Sequence, residues 1–413
     1  RFWGRGSLQR SGRLSAWRVT GLVLLLLAAV VSGSAEVHTN PLNLDPLARE
    51  AFQHFYDLDY PGAIQRFERL RTQHPGDPEG TALLLEAEIF QELYRQDLLD
   101  TTFYANDGFL TGHHATREDP RTRDRIFQLA DKAVNEAGVL LDHNPSDVNA
   151  LYARGWARAL KCAYIAMVER GFAGGFRLAS KAKDDEERVL QIDPDYVDAK
   201  LVVGVYKYVV GALPGPFKFL IGFIGIGGSK KTGLAMLRDV AARGPSNSVE
   251  ARTVIALFLR REGKYREAIQ VVKTLEAQYP RDYLFALEEA NLRKDAGEGM
   301  AAVDAYRTVV ANAEKPGYYA SAQLELTFFG LGDALRGQRH FDEAAQSYEQ
   351  AAFTENVGPE LKIRSLLAAG QCHDLNHERE LAKRDYRMAI DAGPSTTRAD
   401  AARKYLRTPY VGS

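Results

Sequence analysis

The residues best suited to metal chemistry lie together in one polar stretch. Residues 97–122 contain two adjacent histidines and three nearby acids: Asp107, His113, His114, Glu118 and Asp119. Imidazole nitrogens and carboxylate oxygens are metal donors, but a site needs three or four of them converging on one ion. Two adjacent histidines cannot share one face of a helix, although on a loop both could reach an ion. The stretch therefore has two interpretations, a metal centre of an enzyme or carrier, or a polar loop folded over its neighbours.

Motifs for nucleophilic catalysis and for phosphate binding are missing elsewhere in the sequence. The patterns Gly-x-Ser-x-Gly, His-Glu-x-x-His and a strand followed by Gly-x-Gly-x-x-Gly do not occur. Residues 225–232 come nearest to a phosphate-binding loop, but the glycine that should precede the lysine is missing. Many carboxylates recur at helical spacing, which is typical of solvated helix faces. We therefore expect no catalysis and no cofactor, which leaves binding as the function.

Composition places the chain among ordinary folded proteins. Of its 413 residues, 45% are hydrophobic and 26% are charged, which excludes disorder throughout. The 53 Lys and Arg are balanced by 54 Asp and Glu, so the chain lacks the basic excess of a nucleic-acid-binding protein. Its two cysteines are too few for a disulfide framework or a cysteine-rich metal site. These numbers argue against nucleic acid as the partner, and they do not indicate an oligomeric state.

The first 35 residues have the pattern of an export signal. Five arginines precede an apolar run over 21–31, and the small residues of 32–35 follow it. This order of charged, apolar and small residues is typical of a secretory signal peptide, with an uncleaved signal anchor as the alternative. Residues 36–413 then carry 48 Lys and Arg against 54 Asp and Glu, a net charge of −6. We expect an exported protein of the periplasm or cell envelope.

A helical repeat organises the rest of the chain. Four segments starting at Val249, Tyr283, Glu325 and Ile363 align at the same internal offsets. Each has small residues at its eighth and twentieth places and a large residue at its twenty-fourth, which suits two antiparallel helices in close contact. The small residues are Ala256, Ala290, Gly332 and Gly370, then Ala268, Ala302, Ala344 and Ala382; the large ones are Val272, Tyr306, Tyr348 and Tyr386.

This pattern resembles the tetratricopeptide repeat, most closely over residues 249–394. The resemblance implies an all-α, right-handed α-solenoid of about eight helix pairs, with a capping helix near residues 396–406. Residues 36–413 would form this single solenoid, with inserts at 97–122 and 211–229. Residues 196–245, with Leu213-Pro214, Gly227-Gly228 and Lys230, further resemble the tetratricopeptide-repeat-39 group, which includes the yeast mitochondrial outer-membrane inclusion-clearance protein. The export signal departs from that group.

The resemblance also implies a concave groove lined by the first helix of each pair. Places two, five, nine and twelve of each repeat face that groove in the family. The residues carried over are Glu250, Thr253, Leu257 and Arg260; Leu284, Leu287, Asn291 and Lys294; Leu326, Phe329, Asp333 and Arg336; Arg364, Leu367, Gln371 and Asp374. An apolar floor beside Arg260, Lys294 and Arg336 suits an acidic, amphipathic peptide. Alternatively, these cations only complement the negative ends of their helices.

Two further features have open interpretations. Trp156 falls at a groove position of its own repeat, where it is either a partner-binding aromatic or a packing residue beneath the 97–122 insert. Residues 213–226 are apolar and include Phe217, Phe219, Leu220 and Phe223. They are predicted either to plug the solenoid or to form a patch for a membrane surface or a partner.

Overall fold

The structure is a computed structural model, and it describes residues 37–105, 119–213, 227–320, 322–355 and 357–412. The chain divides into two compact units, residues 1–38 and residues 39–413. The predicted export signal lies outside the described residues, as do residues 106–118 and 214–226 of the two predicted inserts. The repeat helices all belong to the second unit.

Seventeen α-helices and no β-strand are found in the described residues. The first eight are α1 (Pro46–Tyr56), α2 (Tyr60–Gln73), α3 (Pro78–Arg95), α4 (Pro120–His143), α5 (Val148–Tyr164), α6 (Phe172–Ile192), α7 (Lys200–Ala212) and α8 (Lys230–Arg243). The others are α9 (Ser248–Arg261), α10 (Tyr265–Gln278), α11 (Tyr283–Asp295), α12 (Gly299–Ala313), α13 (Glu325–Gly337), α14 (Phe341–Phe353), α15 (Pro359–Leu375), α16 (Arg379–Ala392) and α17 (Thr397–Arg407). Short 3-10 helices cover Pro41–Leu44, Thr101–Tyr104 and Val197–Ala199.

The turns inside the pairs follow one local design. Asp59, Leu98, Lys264, Glu298, His340 and Glu378 each donate a backbone N–H to the carbonyl five residues earlier, near the end of the first helix. The residue before each donor has positive φ, as at Gly263 and Gly297. This is the Schellman ending, in which a left-handed residue satisfies carbonyls that the helix leaves without partners. Except after α3, whose second helix begins only at Pro120, it reverses the chain tightly enough for the second helix to pack antiparallel to the first.

The packing inside the pairs explains the spacing of small and large residues. A Cβ atom on Gly332 would lie 2.7 Å from the Tyr348 ring, and one on Gly370 would lie 2.6 Å from the Tyr386 ring. Ala344 and both tyrosines are fully buried. Glycine is thus required where the ring crosses the first helix, because a side chain would occupy the same space. The chain is an all-α solenoid of the tetratricopeptide-repeat type, as the sequence predicts.

Several boundaries agree with the sequence analysis. α10 and α16 end at Gln278 and Ala392, each two residues before a proline (Pro280 and Pro394), a residue that cannot continue a helix. α17 occupies the predicted place of the capping helix, and the Thr396 hydroxyl caps its first turn. Because two segments lie outside the described residues, the total number of pairs stays a prediction. In the part of the chain that the structure covers, none of the helices is both long enough and apolar enough to span a membrane.

Candidate partner-binding groove

The predicted groove residues lie on the first helices of four successive pairs, α9, α11, α13 and α15. We use the word groove for the surface that these four helices share. The structure divides it into a closed part, on α9 and α11, and a part further along, on α13 and α15. The two parts differ in what covers them.

The first repeat of the chain packs against the closed part. The Tyr56 ring of α1 lies 4.6 Å from the Tyr279 ring, centre to centre, and its hydroxyl donates to Glu250 Oε1 at 2.5 Å. The Tyr94 ring of α3 contacts the Tyr283 ring of α11 at 6.4 Å. The solenoid therefore curves so strongly that its first repeats touch its fifth and sixth.

A short segment that follows α3 completes the closure. In segment 98–104, Asp100 accepts a hydrogen bond from Asn291 Nδ2 at 3.3 Å. Thr101 donates to Glu288 Oε2 at 2.5 Å and accepts from Arg260 Nη1 at 2.9 Å. Hydrogen bonds of Asp100 and Thr101, together with one from Arg261 to the Tyr104 carbonyl, thus hold the segment against α9 and α11.

Arg260 is buried by this arrangement instead of standing at a solvent-exposed rim. Only 3% of the residue is exposed, and its guanidinium lies 3.2 Å from Glu288 and 2.6 Å from Asp295. Burial raises the pKa of Glu288 to about 7, and the positive charge of Arg260 opposes that rise. Leu287 and Asn291 are also buried. A role for these three residues in partner binding stays a prediction, and it would require segment 98–104 to move.

The other two predicted cations have internal partners of their own. Lys294 lies 3.6 Å from Asp333, which also accepts a hydrogen bond from the Tyr348 hydroxyl at 2.7 Å. Arg336 donates to Gln371 Oε1 at 2.9 Å and to the Tyr410 hydroxyl at 3.0 Å. Each cation therefore contacts a side chain from another helix or from the C-terminal segment, in addition to lying at the end of its own helix.

The part of the groove on α13 and α15 keeps an accessible surface. Arg364 is exposed, and its guanidinium lies over the Phe329 ring at 4.1 Å from the ring centre. Leu326 and Leu367 are half-buried beside them. The combination is an apolar floor with one exposed cation above it.

Trp156 lies in the interior of the first half of the solenoid. It is 8% exposed, and its indole N–H donates to Glu86 Oε2 at 3.3 Å. Glu79, Glu86 and Glu186 are buried as well, so the expectation that the carboxylates lie on solvated faces is wrong for these residues. Burial raises the pKa of Glu79 to about 8 and the pKa of Glu186 well above its usual range, which favours their neutral forms.

A small cavity lies between the first repeat and the closed part of the groove. Its volume is about 100 Å³, and Phe55, Tyr56, Leu284 and Leu287 contribute to its lining. Pockets for drug-sized ligands measure roughly 300 to 1,000 Å³, so this space is too small for a typical cofactor.

Metal-binding chemistry is found at a place that the sequence analysis missed. Among the described residues, Glu349, His373 and Asp385 each bring one donor atom within 4.8 Å of the other two. They come from α14, α15 and α16, and no short sequence motif links them. Of the five predicted loop ligands only Asp119 is described, and it caps α4 by accepting from Arg121 N and the Thr122 hydroxyl.

No protein-family model matches the sequence, and no curated protein matches it. Solved structures with a similar arrangement include the Cut9–Hcn1 hetero-tetramer of the APC/C, at 13% identity and a TM-score of 0.47 over 97% of this chain. This chain spans 60% of the length of that one. PilF of Pseudomonas aeruginosa is 17% identical with a TM-score of 0.40, over 62% of this chain and 96% of its own. A tetratricopeptide repeat protein from Parabacteroides merdae is 15% identical with a TM-score of 0.33, over 79% of this chain and 100% of its own. The fold assignment rests on the helix packing of this chain itself.

Proposed function

We propose that this chain is a protein-interaction scaffold that binds an extended segment of a partner protein on α13 and α15. The partner segment would carry apolar side chains and at least one acidic side chain. The observation that carries the proposal is segment 98–104, which already occupies the preceding stretch of the groove on α9 and α11.

That segment illustrates what the first helices can recognise. Leu98 is buried, Asp100 accepts from Asn291, and the Tyr104 carbonyl accepts from Arg261 Nη1 at 2.7 Å. Apolar burial together with arginine and amide donors to an acid and to a main-chain carbonyl is a general way of holding an extended peptide. The sequence of the segment is therefore a guide to the ligand class of the groove.

The first helices of the next two pairs, α13 and α15, repeat part of this chemistry. Phe329 and Leu367 occupy the groove position held by Leu287 in α11, and Gln371 occupies the position held by Asn291. Arg364 adds an exposed guanidinium above the Phe329 ring. An acidic side chain of a partner could pair with Arg364, while its apolar neighbours cover Phe329 and Leu367.

Site-specific crosslinking tests the proposal. A photo-reactive amino acid placed at Leu367 is expected to crosslink one short partner segment that is apolar and acidic. The same amino acid at Leu381, an exposed residue on the second helix α16, should not crosslink that segment. Mass spectrometry of the crosslinked peptides identifies the segment directly.

Charge reversal then tests the role of the exposed cation. Arg364→Glu should weaken binding of the crosslinked segment by at least about tenfold, because like charges would face each other. Arg387→Glu, at an exposed arginine on α16, is the matched control and should leave binding unchanged. Crosslinks spread over unrelated sequences, or equal losses in the two variants, would contradict the groove as the binding site.

We also propose that the scaffold is exported, which the arginine-rich and apolar pattern of residues 1–35 supports. Residues 1–35 fused to a reporter enzyme that folds only outside the cytoplasm should give activity, and replacing two leucines of the apolar run by aspartate should abolish it. The metal loop at 107–119 and the membrane patch at 213–226 remain predictions, because all of their residues except Asp119 and Leu213 lie outside the described part of the chain.

A further inference from the structure

Glu349, His373 and Asp385 form a cluster where the last two helix pairs meet. His373 Nε2 lies 3.3 Å from Glu349 Oε1 and 3.5 Å from Asp385 Oδ2. His373 is 4% exposed and Asp385 is fully buried, whereas the Glu349 side chain is one-quarter exposed. The cluster is thus enclosed on two sides and open to solvent at Glu349.

Two of the three donor separations match those around a tetrahedral metal ion. An ion with bonds of about 2.0 to 2.1 Å to nitrogen and oxygen separates its donor atoms by roughly 3.3 to 3.4 Å. The two nitrogen-to-oxygen distances are within about 0.2 Å of that range. The oxygens of Glu349 and Asp385 lie within 4.8 Å of each other, so one ion could reach all three donors once these side chains shift.

A fourth residue orients the imidazole. His373 Nδ1 lies 2.6 Å from Glu378 Oε2, within hydrogen-bonding distance. A hydrogen bond from Nδ1 to this carboxylate leaves Nε2 as the nitrogen that faces Glu349 and Asp385. Histidine ligands of metals commonly have such a carboxylate on their second nitrogen.

One donor atom of the cluster lacks a hydrogen-bond partner. Asp385 Oδ2 is buried and accepts no hydrogen bond, although Oδ1 of the same carboxylate accepts from Arg384 Nε at 2.8 Å. A buried carboxylate oxygen without a hydrogen bond is costly, and an ion bound beside it is one way to satisfy it. This oxygen faces His373 Nε2, where an ion would also lie.

Arg384 already pairs with two of these carboxylates, so it would compete with a bound cation for them. Its guanidinium contacts both Glu349 Oε1 and Asp385 Oδ1, and nearly half of its side chain is exposed. The exposed guanidinium can turn into solvent without opening the core. Removing its charge should therefore favour a cation at the cluster.

We propose that Glu349, His373 and Asp385 bind a divalent transition-metal ion of the Zn²⁺ class. The ion would join α14, α15 and α16, and would leave a fourth position for water on the open side. Nitrogen and carboxylate donors in this number suit Zn²⁺ better than Mg²⁺, which prefers six oxygen donors.

Titration of the full chain with Zn²⁺ tests the site. The parent chain for this experiment and every variant made from it carry His113→Ala and His114→Ala, so that the loop histidines do not contribute to Zn²⁺ binding. The parent chain should bind one Zn²⁺, and Glu349→Gln should weaken that binding by at least about tenfold. Arg384→Gln should strengthen it. His340→Ala removes an exposed histidine that pairs with Glu343 on the neighbouring turn, and it should change nothing.

Isothermal titration calorimetry gives the stoichiometry, and thermal unfolding without metal checks that each variant is folded. Glu349 is partly exposed, so Glu349→Gln is expected to fold normally. Zn²⁺ should raise the unfolding temperature of the parent chain, and a chelator should reverse the rise. The proposal is overturned if the parent shows no saturable binding, if Glu349→Gln binds Zn²⁺ as well as the parent, or if Mg²⁺ binds equally tightly.

Discussion

Replacing Arg260 by methionine tests whether the groove is closed from within. Methionine keeps most of the length of the side chain but removes the charge that faces Glu288 and Asp295. It also removes the hydrogen bond to Thr101 in segment 98–104. Breaking one side of a buried ion pair typically costs about 3 to 5 kcal/mol, because the remaining charge is buried without a partner. We expect a loss of that size at pH 8.5.

The loss should depend on pH in a defined direction. The pKa of Glu288 is raised from 4.5 to about 7, so its contribution to stability is fully present below pH 4.5 and is lost as pH rises through 7. At about 1.4 kcal/mol per pKa unit, the free energy of unfolding of the parent chain is about 3 kcal/mol lower at pH 8.5 than below pH 4.5. In Arg260→Met, a Glu288 that stays protonated up to pH 8.5 lowers the free energy of unfolding by about 5 kcal/mol over the same range. The substitution should therefore cost about 2 kcal/mol more at pH 8.5 than at pH 5.5.

Urea unfolding, followed by the fluorescence of Trp156, measures these losses in a chain of residues 39–413, where Trp156 is the single tryptophan. Adding Glu288→Gln to Arg260→Met should recover roughly 5 kcal/mol at pH 8.5, because the folded chain no longer has to hold a protonated carboxyl group at that pH. Arg252→Met is the matched control on the same helix, since Arg252 binds the Ser248 carbonyl and Gln278 instead of a buried acid. Chymotrypsin should also cleave segment 98–104 faster in Arg260→Met than in the parent.

Two results would refute this reasoning. Equal losses at the two pH values would mean that the charge of Glu288 is not what Arg260 compensates. A full loss in the double variant would mean that methionine disturbs the packing of α9 itself. In either case the closed part of the groove would have to be explained by apolar contacts alone, such as those of Tyr56 and Tyr279.

Two more predictions concern the packing and the buried acids. Gly332→Ala should destabilise the chain by about 1 to 3 kcal/mol, because the added methyl group would lie against the Tyr348 ring. Gly337 has open space around it, so Gly337→Ala should be neutral or slightly stabilising. Thermal unfolding compares the two variants. The pKa of Glu79 is raised to about 8 by burial, so its contribution is present below pH 4.5 and is lost as pH rises through 8. Glu79→Gln should therefore remove about 4 kcal/mol from the decline in stability between pH 5 and pH 9, and an unchanged decline in urea unfolding would contradict the assignment.

The inward-facing segment 98–104 also bears on how a partner would reach the groove. A partner that needed Arg260 or Asn291 would first have to displace hydrogen bonds from Asp100 and Thr101. The surface on α13 and α15 requires no such displacement at Arg364. The later repeats are therefore the more favourable place for a partner to bind.

The sequence by itself determined the helical pairs and their internal packing. Small residues at fixed offsets from large ones, such as Gly332 from Tyr348, describe a contact within one pair, and that contact depends on residues only 16 positions apart. The positions of turns and helix ends are equally local, because a left-handed residue or a proline acts on its own neighbours. The helical ends of α10, α16 and α17 could therefore be predicted.

Only the tertiary structure decided what the groove contains and which acids are buried. The curvature of a solenoid is the sum of small rotations between successive pairs, and no sequence window records that sum. It brings Thr101 to Arg260 across 159 positions, and it encloses Glu79 and Glu86 instead of leaving them on solvated faces. The cluster of Glu349, His373 and Asp385 could not be predicted from the sequence for a related reason. Its donors meet only when three helices pack, and no short sequence motif distinguishes them from other polar residues on those helices.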